Sequence, residues 1–202
     1  MSTDTKFHMH HDSPEQVGRR ERLGVRLLIV ADGAFVFAMI FSYFYLRNLN
    51  ANNGWIPKGG HHLAASTGWV IVLPLIVAAI VHKLGSRQMA SFKNISIITL
   101  IALIVGLYLQ WKQLAHMPFQ VDGDSGKVFG FEGSYSSSWV LIAGANMFHY
   151  ILATFISLGL VIRARRAEVD PILEKWRLRT AGSWFTWIAI SGIACAITTS
   201  II

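Results

Sequence analysis

The chain has 202 residues, 53% of them hydrophobic and 14% charged, with a net charge of +7 and a mean hydropathy of +0.45. So apolar a chain is not disordered, and its charge is little more than half of the ~25% usual in a soluble domain. One cysteine, Cys195, excludes a disulfide framework and a cysteine-based zinc or iron–sulfur site within the chain.

Residues 1–24 are polar and read as a cytoplasmic tail. The first apolar run after them is a full-length span, which is not the pattern of a cleaved signal peptide. Ser13 followed by Pro14 reads as the cap and first position of a short helix. His8, His10 and His11 read as a solvated tail in preference to an adventitious metal site.

Five stretches then suit a bilayer: 25–46, 64–81, 94–111, 138–162 and 183–202. A helix rises ~1.5 Å per residue and crosses ~30 Å of hydrocarbon in about 20 residues. The third and fourth stretches are apolar almost all round, unlike a core helix of a soluble bundle. The expected fold is therefore all-α, an integral membrane bundle of five transmembrane helices occupying 25–202. Pro74 is expected as a tolerated kink in the second span. Between the third and fourth spans, 122–126 reads as a turn, the tip of a hairpin, and it lacks the spacing of a calcium-binding hand.

If the five spans alternate, 14 of the 18 basic residues fall on one side, including Arg19, Arg20, Arg87, Arg165 and Arg177. Positive-inside sorting places the N-terminus in the cytoplasm and the C-terminus outside. Basic residues spread over short loops, with no nucleic-acid-binding motif beside them, favour the membrane over nucleic acid as partner.

Few side chains inside the spans can carry chemistry. Asp32 lies in the first span, where an aspartate costs ~2.5–3.5 kcal/mol and so avoids lipid. It reads either as a proton-handling or lipid-headgroup-contacting carboxyl, or as a hydrogen bond between helices. His149 and Asn146 share a face of the fourth span with Tyr150. A lone histidine there is more often a hydrogen-bonded core residue than a metal ligand. No phosphate loop, catalytic triad or carboxylate pair is visible, so no active site, cofactor or metal is expected on the chain itself. The stripes Ala34–Ala38–Ser42, Ala102–Gly106 and Gly192–Ala196 are expected to mark helix-packing faces. Trp55, Trp69, Trp111, Trp139 and Trp184 are expected to form an interfacial belt.

Three segments carry a family resemblance. The first span runs Val30-Ala31-Asp32-Gly33-Ala34-Phe35 and ends Ser42-Tyr43-Phe44-Tyr45-Leu46-Arg47; the third ends Gly106-Leu107-Tyr108-Leu109-Gln110-Trp111; the fourth contains Gly144-Ala145-Asn146-Met147-Phe148-His149-Tyr150. In order and topology they resemble subunit III of the haem–copper respiratory oxidases, in its short five-helix bacterial form. The aspartate at position 32 is similar to the quinol-oxidase branch, since cytochrome c oxidases usually carry glutamate there. Asn146 stands where the family has its first histidine, and the last helix lacks the family's Trp-His-x-x-Asp signature.

The resemblance implies a non-catalytic subunit of a proton-pumping terminal oxidase of the bacterial plasma membrane. Haem and copper would sit in its partners, oxidase subunits I and II. The chain would support proton uptake, hold structural phospholipids and limit inactivation of the catalytic subunit. Asp32 would be the family's buried carboxyl and His149 its core partner, the two meeting inside the bundle. An accessory subunit of nitric oxide reductase is the alternative, and a stand-alone membrane transporter a more distant one.

Overall fold

Ser13 starts the first helix as its sequence suggests. Its hydroxyl accepts from the Gln16 amide at 3.4 Å, the Gln16 side chain accepts from the Ser13 amide at 3.2 Å, and Pro14 follows at the first position. The helix is not short, however. In this computed structural model, which describes residues 12–86, 92–119, 133–164 and 171–201, α1 runs unbroken over Pro14–Leu49. Four further helices follow: α2 (Ala65–Gly85), α3 (Phe92–Ala115), α4 (Ser134–Arg163) and α5 (Pro171–Ser200). All five are long and apolar enough to cross a membrane, and no strand occurs among the described residues. The hairpin tip at 122–126 and the histidines at 8, 10 and 11 lie outside the described residues.

The helices alternate in direction. Arg177, early in α5, reaches Glu21, early in α1, at 3.2 Å, and the end of α2 meets α5 where His82 Nε2 lies 2.7 Å from the Leu178 carbonyl. At the other end the Tyr43 hydroxyl of α1 donates to the Ile201 carbonyl at 3.0 Å. Ten of the thirteen described lysines and arginines thus lie at the end that holds Glu21 and Arg177, here called the basic end. α5 lies between α1 and α2 and also touches α4, and more than half of its apolar stretch is buried. It is the helix around which the others pack.

Two helices begin earlier than hydropathy suggests. Residues 14–24 and 171–182 carry too many charges to register as spans, yet both are helical and they lie against each other. The Trp176 side chain crosses Gly18, and Arg177 joins Glu21 and the buried Glu174, the latter at 2.7 Å. Three charges that read as tail and loop, Glu21, Glu174 and Arg177, are paired in this helical stub, which α1, ~54 Å long at 1.5 Å per residue, carries beyond the span.

Burial divides the expected tryptophan belt. Trp184 is 1% exposed, Trp139 and Trp55 are also buried, and of the five only Trp69 and Trp111 face outward. Trp55 is drawn in by the first loop, which folds back over the end of the bundle. There it packs edge-on against Tyr43 and Tyr135, with ring centroids 4.9 and 5.6 Å away. The same loop offers the Gly54 and Trp55 carbonyls to the free amides of Ser134 and Tyr135 at the start of α4, both at 3.0 Å. A side chain at Gly133 would collide with the Gly54 carbonyl and Pro57, so this approach requires glycine.

The small-residue stripes divide. Gly106 is buried under the Tyr150 ring, and Gly192 and Ala196 are buried where α5 meets α2. Ala34, Ala38 and Ser42 are exposed instead. α1 packs through the opposite register, Val36, Met39 and Tyr43, because these larger side chains fill the space beside α4 and α5. α2 continues through Pro74 without a break. Proline has no N–H for the carbonyl four residues back, and the Tyr150 hydroxyl donates to the adjacent Ile71 carbonyl in that turn.

Candidate functional site

The middle of the bundle holds a polar cluster built from three helices. α1 contributes Asp32 on the face that continues to Val36 and Met39; α4 contributes His149; α5 contributes Trp187. His149 Nε2 lies 2.9 Å from Asp32 Oδ1, and the Trp187 indole N–H donates to Asp32 Oδ2 at 2.6 Å. The side chains of His149 and Asp32 are only 4% and 11% exposed. Trp184 sets its edge against the imidazole, with centroids 6.1 Å apart. The carboxylate that sequence placed in the first span and the histidine in the fourth are therefore partners.

Burial decides the electrostatics of this cluster. A lone carboxylate at this depth would be strongly disfavoured, and two hydrogen bonds, one on each oxygen, make it tolerable. Trp187 can only donate, so Asp32 Oδ2 is its acceptor. On the other oxygen the contact with His149 Nε2 is a single hydrogen bond that joins two titratable side chains, and which of the two donates follows from the imidazole tautomer and charge.

Asn146 belongs to a second arrangement. Its side-chain N–H donates to Gln110 Oε1 of α3 at 2.7 Å, and the Gln110 amide donates to Gln113 at 2.9 Å. One helical turn separates Asn146 from His149, but their side chains serve different neighbours. Tyr150, the third residue of that stretch, reaches α2. α4 is thus the common wall, touching α1, α2 and α3 through three adjacent polar side chains.

Trp187 and Gln110 complete the two networks, and the sequence alone singled out neither as a site residue. Gln110 was visible only as part of a similar segment. Trp187 stands one turn from Trp184 in a helix rich in aromatics, and nothing in its spacing distinguishes a donor to Asp32 from packing.

Beside the cluster, toward the basic end, a cleft of about 540 Å³ lies between α1, α4 and α5. Val25, Phe155 and Ile162 line it, Arg163 and Arg177 stand at its charged end, and it reaches Trp184. Among the described residues no three histidines, cysteines or acidic residues come together as a metal site would require. No family model matches this chain, and no curated protein does.

Proposed function

We propose that this chain is a non-catalytic subunit of a proton-pumping terminal oxidase, similar to subunit III, in the plasma membrane of an aerobic bacterium. The N-terminus and the basic end face the cytoplasm, and the C-terminus faces outside. The observation that carries the proposal is the Asp32–His149 contact: the two positions selected by resemblance, 117 residues apart, share a hydrogen bond at mid-bundle. A titratable pair at that depth, sealed by two tryptophans, suits a role in supplying or buffering protons for a neighbouring catalytic subunit.

Two further features support the reading. The exposed register Ala34–Ala38–Ser42 leaves α1 with a narrow ridge on which a partner helix packs closely. Next to it the rings of Phe37, Phe41 and Tyr45 stack in sequence, with centroids 6.5 and 6.1 Å apart. The apolar cleft with arginines at one end suits a phospholipid, its acyl chain against Val25 and Phe155 and its headgroup near Arg163.

Purifying the tagged chain from its host in mild detergent tests the proposal. Oxidase subunits I and II should accompany it, with a haem absorption spectrum and oxygen consumption. Consumption of nitric oxide in place of oxygen would assign the chain to the reductase instead. A chain that purifies without any haem protein would refute both.

A further inference from the structure

The amide pair leaves one polar atom without a partner. Asn146 is 7% exposed and its Oδ1 accepts no hydrogen bond from the protein. It lines a cavity of about 30 Å³ between α2, α3, α4 and α5, whose walls also include Gln110, Gln113 and Cys195. A single water needs about 10–15 Å³ of such space. Stranding an amide oxygen without a donor costs free energy that a bound water removes.

This cavity has a neighbour. At the end of the bundle opposite the basic end, an open cleft of about 500 Å³ lies between the start of α2 and the end of α3, with Ser66, Thr67, Lys112 and His116 around it. The two spaces share Ile71 and Gln113 as walls. Gln113 is tied to Gln110, which is tied to Asn146, so the side chain between the spaces belongs to the same network. On the inner side, Asn146 stands one helical turn from His149.

We propose that the inner cavity binds water held by Asn146 Oδ1, and that Gln113 is the partition between this water and the aqueous cleft. The bundle is then hydrated from one end to within a turn of the Asp32–His149 pair. On the orientation proposed above that end is the outer one. The water site itself does not depend on which complex the chain joins.

The single cysteine makes the site measurable, because its S–H stretch lies in an infrared region clear of other protein bands. The full-length chain in lipid vesicles is transferred to D₂O and the loss of that band is followed. Exchange in minutes is expected. Asn146→Leu removes the water's acceptor and fills the cavity, and should slow exchange by at least an order of magnitude. Gly68→Ala should do the same without touching the amides, since its added carbon would sit in ordinary contact with Thr199 and Ala196, 3.5–3.6 Å away. If the asparagine variant fails to fold, Gly68→Ala decides alone. An S–H band that persists for hours in the native chain, or exchange as fast in Gly68→Ala as in the native chain, would overturn the proposal.

Discussion

His149 and Asp32 stabilise each other only as a pair, and this sets what substitution should do. His149→Leu leaves a buried carboxylate with Trp187 as its one remaining donor. Breaking a buried pair from one side costs about 3–5 kcal/mol. The double variant Asp32→Leu/His149→Leu removes both charges and leaves only the indole N–H unmatched. Thermal unfolding in detergent should therefore show the single variant to be the less stable of the two. A loss in the double variant equal to the sum of the two single-variant losses would mean that the residues do not act together. Asp32 and His149 were legible in the sequence because a titratable group in an apolar span has few explanations. Trp187 was not, since an indole is apolar by composition and becomes a donor only through what it faces. Asn146 was legible as an intramembrane polar residue, but its partner, on another helix, was not.

At the scale of elements, glycine positions separate close packing from open surface. A side chain at Gly106 would meet the Tyr150 ring within 2.5 Å, whereas one at Gly144 would meet nothing within 4 Å. Gly106→Ala is expected to destabilise the bundle by about 1–3 kcal/mol, the usual cost of overpacking. Gly144→Ala should be neutral or slightly stabilising, by under about 1 kcal/mol. Unfolding of the two variants side by side checks this, and equal effects would contradict the packing of α3 against α4 described here. The spans themselves were readable from hydropathy to within a few residues at most ends. The starts of α1 and α5 were not. Windows tuned to hydrocarbon reject segments holding Arg19, Arg20 and Glu21, or Glu174, Lys175 and Arg177, although such segments continue a helix readily, here with Arg177 joining Glu21 and Glu174 across the two. Trp184 follows the charged stretch 171–182 by two residues, and what sets it apart from a belt residue is that it is buried, against His149. The α1 stripe failed for a different reason, because small-residue spacing marks a face that permits close approach without saying which neighbour uses it.

For the whole molecule, alternation of five helices puts the start of α1 and the end of α5 at opposite ends, and ten of the thirteen described lysines and arginines lie at the end where α1 starts. With that end in the cytoplasm, a periplasm-dependent reporter such as alkaline phosphatase fused after Ile202 should be active, and a fluorescent protein fused there should be dark. The reverse pattern would invert the proposed orientation. The central claim is that a proton-holding pair inside this bundle serves a redox partner, and the most direct test is the complex purified with Asp32→Asn in place. Its haem spectrum should match that of the native complex while oxygen turnover slows severalfold or is lost faster during catalysis. Unchanged turnover and unchanged lifetime in a fully assembled complex would contradict the account.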